Sequence, residues 1–544
     1  MRRGKNLFGL GLGFALLLSL LVGCSPKAPA LPEKDIAILY TTDVHCGVDD
    51  AIGYAGLSAY RQELASDGSE VLLVDSGDAI QGAPIGGLSK GETIIEIMNE
   101  MGYAVAIPGN HEFDYGTDRL LELSKLAKFP YLSANFVNTE TGEKIFEPYA
   151  LKDVAGVKIG FVGVTTPLTL TSSNPAGFKN EKGDYIYGFM SDEDGTKLYE
   201  AVQKAVNSAR KEGADYIVVL SHLGIGTVDE PYTSNSLIEH CSNIDAVLDG
   251  HTHQTVSQAK VLDKDGKEVL LTQAGTKLDN IGELHIGTDG ALGSKLVSSY
   301  EKKDPATDEF VKAIQAKYAE FLSQKVAKTA NELTINDPLS GARVIRNAET
   351  NLGNLCADAY RAAGKTDIAI INGGGVRAQL PKGDINYNDI LSVFPFSNGL
   401  CTIEASGQEI LDALEHGVRL LPEENGGFLQ VSGLSFVLDP AIPSPVRVDA
   451  EGNFVSIEGA RRVSDVLVSG KPLEPTKTYT LTSHSFLIKN GGDGFTMFMD
   501  NKLLQDSFVE DYISLIDYLA GDYSKNPEQY KEPFGEGRIT AKQP

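Results

Sequence analysis

Residues 103–114 read YAVAIPGNHEFD: an apolar run of strand length, a proline and a glycine, then Asn110, His111, Glu112 and Asp114 in quick succession. Four more stretches repeat that grammar, with IAILYTTDVH at 36–45, EVLLVDSGD at 70–78, YIVVLSH at 216–222 and IDAVLDGHTH at 244–253. Each is a buried-strand pattern that ends in polar, metal-seeking side chains. The recurrence predicts an α/β fold in which those side chains gather at the carboxyl edge of a sheet, where open α/β folds bind ligands.

The residue types fit a centre for two divalent cations. Side chains two apart in an extended segment point the same way, so Asp43 with His45, and His251 with His253, are expected to converge as pairs. Asp78 can bridge two ions through its carboxylate, Asn110 can offer its amide oxygen, and His222 a neutral imidazole. Two divalent ions carry four positive charges and Asp43 with Asp78 return two negative ones. The surplus suits a hydroxide and a phosphate dianion. His111, with Asp114 three residues on to orient it, can stabilise developing charge or protonate a leaving oxygen. Of the nine histidines, His240, His285, His416 and His484 lie outside these strings and read as ordinary surface or core residues.

The second half of the chain carries different signals: RNAETNLGNLCADAYR from Arg346, DIAIINGGGVR ending at Arg377, then GGFLQVSG and NGGDGF. INGGGVR is a strand running into three glycines, which lets backbone approach a ligand before Arg377 reaches it. A guanidinium there can grip a phosphate or carboxylate with two parallel hydrogen bonds.

These strings, GNHEFD above all, resemble the calcineurin-like metallophosphoesterases and, within them, the bacterial and animal 5'-nucleotidase family. The resemblance implies an N-terminal four-layer αββα metallophosphoesterase domain at 35–299, a linking helix within 300–330, and a C-terminal α/β nucleotide-specificity domain at 331–544. It also implies one metal on Asp43, His45, Asp78 and His253 and a second on Asp78, Asn110, His222 and His251, with His111 and Asp114 as catalytic dyad. Phe428 and Phe495 match two aromatics that sandwich a nucleobase, Asn372 and Gly374 match groups near base and ribose, and Arg377 and Arg346 match anchors for the phosphate or ribose end. Asp500 matches a group that takes a ribose hydroxyl. Tyr40 and Cys46 depart from the pattern. Strand alternation predicts that Cys46 points away from the metals, in a packing role.

Residues 1–23 have Arg2, Arg3 and Lys5 followed by an apolar run too short for a comfortable membrane span, and LVGC at 21–24 looks like a bacterial lipoprotein box with Cys24 as the lipidated thiol. SPKAPALPEK after it reads as a tether over 24–34. The expectation is an extracytoplasmic enzyme, held at a membrane by an N-terminal lipid anchor. Loss of that leader moves the formal charge from −26 to about −29, which argues against long nucleic acids as partners but not against a small nucleotide.

With 544 residues, 42% of them hydrophobic, the chain supports two cores. From Asp304 to Lys328 the pattern is helical, with Phe310, Ile314, Tyr318 and Phe321 at near-turn spacing. SDEDGT at 191–196 resembles a haloacid-dehalogenase nucleophile motif but lacks the partner residues, so it reads as a loop opening a helix. DKDGK at 263–267 lacks the later ligands of a calcium loop and reads as a hairpin turn.

The expected activity is hydrolysis of nucleoside 5'-monophosphates by a metal-activated hydroxide, with UDP-sugar cleavage as a further possibility. Zinc, manganese, magnesium and cobalt all suit the ligand set. The alternative on the same two domains is a 2',3'-cyclic nucleotide 2'-phosphodiesterase and 3'-nucleotidase; a more distant one is a non-catalytic nucleotide-binding lipoprotein.

Overall fold

The structure is a computed structural model that describes residues 29–542, apart from 174, 181, 227–229, 397 and 508. The expected leader and Cys24 lie outside the described residues. Among those described, no helix is long and apolar enough to cross a membrane.

The apolar runs that precede the ligand strings form the centres of two sheets. In the first, Ile36–Thr41 pairs in parallel with Glu70–Asp75, which pairs in parallel with Val105–Ala106, and Asn280–Ile286 and Leu292–Ser298 extend the sheet antiparallel. In the second, Tyr216–His222 lies between Val157–Thr165 and Ala246–Asp249, all parallel. Strand alternation divides the side chains between cores: Ile36, Ile38 and Tyr40 face Phe161, Val218 and Leu248 of the other sheet. Leu39 and Leu73 face the opposite way, toward the helices Gly53–Ser66 and Glu92–Met101. The second sheet's outer face takes Thr196–Lys211 and Ser234–His240. The result is the expected four-layer αββα sandwich, whose central strands Ile36–Thr41, Tyr216–His222 and Ala246–Asp249 are buried on both faces and therefore largely apolar. Tyr40 belongs to this sandwich, its hydroxyl 2.8 Å from Thr272 Oγ1.

The linking helix is shorter than its sequence pattern. It runs over Pro305–Leu322, capped by the Asp304 side chain on Thr307 N, and packs Val311 and Ile314 into the N-terminal core. Residues expected to continue it instead form the strand Lys325–Thr329, which pairs with Gly383–Asn386 of the second domain. Tertiary pairing overrides local helical propensity there. Phe321, at the helix end, stacks on Tyr387 with ring centroids 4.7 Å apart, so the helix touches both domains.

The C-terminal domain is built on a five-stranded sheet ordered Leu429–Ser432, Ile368–Asn372, Thr478–His484, Leu400–Ser406 and Leu503–Gln505. Asn351–Gly364 and Asp511–Ala520 cover one face and Gly407–Gly417 the other. The parallel pair Ile368–Asn372 and Thr478–His484 ends in the INGGGVR and NGGDGF loops, which places both beside the metallophosphoesterase domain.

SDEDGT behaves as a helix-opening loop, with Gly195 at the N-cap of Thr196–Lys211. DKDGK closes the antiparallel hairpin of Thr255–Leu262 and Glu268–Ala274.

Candidate active site

The ligand strings do converge, but not by strand alternation. Ile36–Thr41 ends two residues before Asp43, and Asp43, His45 and Cys46 have φ of 51°, 47° and 59°. Asp78, His251 and His253 share that left-handed conformation, at 59°, 77° and 55°. It costs a non-glycine residue about 1 kcal/mol or more and persists only where surroundings impose it. Here the DVH loop continues hydrogen bonding to the SGD loop beyond the strand ends: Asp43 N to Gly77 O, His45 N to Asp78 O and Cys46 N to Ala79 O, at 2.9, 2.9 and 3.0 Å. Glycine is required where the loops cross. A Cβ on Gly109 would sit 2.3 Å from Asp78 Oδ1, and one on Gly250 2.3 Å from Thr42 Oγ1.

Two groups result. His253 Nε2 lies 3.4 Å from Asp43 Oδ1 and 3.1 Å from His45 Nε2. In the other, His222 Nε2 is 3.1 Å from Asp78 Oδ2, and His251 Nδ1 is 2.9 Å from Asn110 Oδ1. His251 and His253 therefore serve different groups rather than one. Asp78 joins them through a single oxygen: Oδ2 reaches both His222 and, at 3.9 Å, His45, while Oδ1 accepts the His111 backbone N–H at 2.7 Å.

This donor set fits divalent cations. His45 Nδ1 and His222 Nδ1 bond the carbonyls of Gln81 and Ser76, at 2.9 and 2.7 Å, which places their N–H groups there and turns each Nε2 lone pair toward the centre. His222 Nε2 makes no hydrogen bond despite its closeness to Asp78. Burial holds the His45 imidazole well below its ordinary pKa and His251 down to about 3, the neutral state a metal ligand needs. Burial would lower His222 too, but Asp78 and Asp43 lift it to about 10: the carboxylates demand a positive charge at that point.

Glu112, within GNHE, is the organiser of this floor. Its buried carboxylate accepts the N–H groups of Asp78 and Gly109 on one oxygen, at 2.7 and 2.6 Å, and those of Ala79 and Ile80 on the other, at 2.8 and 3.3 Å. Burial, then Asp78, push its pKa up to about 7, against which the four amides work. Glu112→Gln turns an amide NH2 against N–H donors, so urea unfolding is expected to show a loss of about 3 kcal/mol or more. An unchanged midpoint would refute the organising role.

The dyad is formed. His111 Nδ1 lies 2.5 Å from Asp114 Oδ2, and although burial disfavours the imidazolium, Asp114 and Asp78 raise the His111 pKa above its ordinary value. Cys46 points away, with its thiol packed against Gly86 and pushed by burial up to about 12.

The facing wall of a cleft of about 940 Å³ belongs to the C-terminal domain and includes Arg346, Asn372, Gly374 and Arg377. Both arginines are half-buried, and among the described residues neither has a carboxylate within ion-pair distance, whereas the neighbouring Arg343 is held by Glu424. Burial, then the neighbouring guanidinium of Arg343, disfavour their charged forms, which an incoming anion would relieve.

Three expectations fail here. Phe428 and Phe495 are both 0% exposed, packed in the C-terminal core, and do not line the cleft. Asp500 is exposed and also outside it. On the C-terminal wall the cleft is lined by the rings of Phe396, Phe486 and Tyr512 and by carboxylates that include Asp493, Glu424 and Glu510. Glycine-flanked Phe428 and Phe495 alternate into the core because their neighbours' backbone, not their side chains, forms the cleft wall: Gly426 O receives Gly374 N, at 2.8 Å. His484 and His416, read as ordinary, support this wall. His484 Nε2 bonds Asn372 Oδ1, Asn372 Nδ2 donates to Asp493 Oδ2, and His416 Nε2 bonds the Asp493 carbonyl, at 2.8, 2.6 and 2.8 Å. The signal available was position: His484 ends a strand parallel to the one ending at Asn372.

Residues 36–255 match the calcineurin-like phosphoesterase family and residues 325–500 the 5'-nucleotidase C-terminal domain. A 5'-nucleotidase of Vibrio cholerae is 30% identical, over 93% of this chain and 95% of its own. The chain belongs to the 5'-nucleotidase family. The crystal structure of a 5'-nucleotidase precursor from Thermus thermophilus, 28% identical, superposes with a TM-score of 0.77 over 94% of this chain and all of that one. The Thermus thermophilus sulfate thiohydrolase SoxB, 19% identical with a TM-score of 0.68 over 93% of this chain and 97% of its own, shares the fold. This protein is thus a metal-dependent phosphoester hydrolase of nucleotides, whose fold, with the candidate ligand groups above, implies divalent metal ions.

Proposed function

We propose that the protein hydrolyses nucleoside 5'-monophosphates to nucleoside and phosphate, outside the cytoplasm, on a lipid anchor at Cys24. The observation that carries the substrate reading is the cleft in which the candidate cation ligands Asp78, Asn110, His251 and His253 stand opposite a wall of half-buried arginines and aromatic rings. Bound divalent cations supply Lewis acidity toward the phosphoryl oxygens and make water a competent nucleophile at neutral pH. His111, oriented by Asp114, donates to a phosphoryl oxygen or to the departing 5'-oxygen as its charge develops.

Arg377 and Arg346 grip the phosphate or ribose end, and Phe396 and Phe486 offer π-faces to the base. Phe396 spans the two halves, its centroid 6.0 Å from the His111 ring and 5.9 Å from the Arg377 guanidinium carbon. Asp493, oriented by Asn372, can accept from ribose hydroxyls. The anchor reading rests on Arg2, Arg3, Lys5, the apolar run after them and LVGC.

Phosphate release from AMP, UMP, 3'-AMP, 2',3'-cyclic AMP and UDP-glucose, with and without chelator and added manganese, tests the substrate. Selective turnover of 2',3'-cyclic AMP would replace this reading with the cyclic phosphodiesterase. Phe396→Ala and Phe486→Ala are each expected to raise KM for AMP about tenfold, as the loss of one stacked base contact does. KM for p-nitrophenyl phosphate, which has no base, should stay put. Incorporation of radiolabelled palmitate that survives in the unaltered chain but not in Cys24→Ala tests the anchor, and equal labelling would discard it.

A further inference from the structure

The dyad has a third member. Ser173 is fully buried, and its Oγ donates to Asp114 Oδ1 at 2.9 Å, the oxygen that Asp114 does not direct at His111. Ser173 closes the short helix Thr169–Ser172, and that helix is where the other domain leans on the metallophosphoesterase domain. Thr171 Oγ1 shares its hydrogen between Leu168 O, at 3.1 Å, and the Glu451 carbonyl across the interface, at 2.9 Å. Ser191 Oγ donates to Glu451 Oε1 at 2.7 Å.

Glu451 sits at the tip of the hairpin that joins Val446–Val448 to Phe454–Ile457. The tip is preformed, because Asp449 Oδ1 accepts the N–H groups of Glu451 and Asn453, at 3.1 and 2.7 Å. Its back supports the substrate wall: a Cβ on Gly494, next to Asp493, would lie 2.2 Å from Gly452 O. One hairpin therefore touches the helix that ends at Ser173 and the loop that carries Asp493.

We propose that Ser173 is a positioning residue for the His111–Asp114 dyad, and that the 449–453 hairpin tip makes this positioning depend on docking of the C-terminal domain by seating helix 169–172. Held by Ser173 on one oxygen, Asp114 has one orientation left for the other, the one aimed at His111 Nδ1. The inference rests on the reading above only for the roles of His111 and Asp114.

Ser173→Ala is expected to lower kcat about tenfold to a hundredfold on both AMP and p-nitrophenyl phosphate, with KM and metal content unchanged, in the range found for residues that orient catalytic groups. Ser173→Thr, which keeps the hydroxyl, should restore most of it. Thr171→Val should lower kcat alone but add little in the Ser173→Ala background, because both act on one path. The far-downfield proton resonance of the His111–Asp114 hydrogen bond, identified by its loss in His111→Asn, should shift in Ser173→Ala. An unchanged kcat and resonance in Ser173→Ala, or no rescue by Thr, would overturn the positioning role. Full additivity of the two changes would overturn the hairpin link. Absence of AMP turnover by the unaltered protein would instead sink the nucleotidase reading, and the resonance would still report on Ser173.

Discussion

Asp78→Ala will leave a folded protein that binds fewer divalent ions than the unaltered chain and releases phosphate from AMP about a thousandfold more slowly, or not at all. The reason is geometric. Asp78 Oδ2 faces both His222 and His45, and so both ligand groups, as Asp43 Oδ1 does toward His253 at 3.4 Å and His222 at 3.9 Å, while Asp78 Oδ1 holds the His111 backbone N–H. Its removal takes a negative charge from between the ion sites and loosens the GNHE turn at once. Metal content by elemental analysis, with kcat on AMP, checks this. Retention of the full metal complement together with near-normal turnover would refute the bridging assignment. The C-terminal core shares no residue with this floor, so its far-ultraviolet signature should persist.

His111→Ala should separate chemistry from metal binding. The His111 side chain is directed to Asp114, and it is the backbone N–H that Asp78 receives, so both ion sites should survive. Loss of a general acid or charge-stabilising imidazole should lower kcat about 10²- to 10⁴-fold. Metal analysis equal to the unaltered chain with such a loss assigns the imidazole to catalysis. Depleted metal would assign it to ligation, consistent with its grouping beside His45 and Asp78.

The N-terminal half was legible because its signals are local. An apolar run followed by DVH, SGD, GNHE, SH or GHTH states both a buried strand and the chemistry at its end, and parallel strands deliver all such ends to one edge. Convergence does not come from strand alternation. The ligand residues sit past the strand ends in left-handed backbone, held by loop-to-loop hydrogen bonds between segments 33 or more residues apart, which no local pattern encodes. Glu112 was in view but silent, since the four amides that need it come from the turn before it and the SGD loop.

The C-terminal half was legible in its glycine loops, Asn372 and two arginines, but not in its rings. INGGGVR and NGGDGF do mark the cleft, yet the aromatics nearest those glycines, Phe428 and Phe495, turn into the core, and Phe396 and Phe486 line the substrate space. Which of two nearby phenylalanines faces a ligand depends on what is packed behind it. The helix 305–322 likewise gave way to a strand at Lys325 because a partner strand was available.

By itself the sequence determined the two-domain α/β class and named the candidate metal ligands and dyad, because each is a short string whose chemistry is complete within a few positions. Tertiary structure alone decided how the loops hold the candidate ligands together, which rings line the cleft, and that Ser173 and a hairpin from the other domain stand behind the dyad. Those depend on side chains meeting across tens to hundreds of residues, where only packing and hydrogen-bond geometry choose the partner.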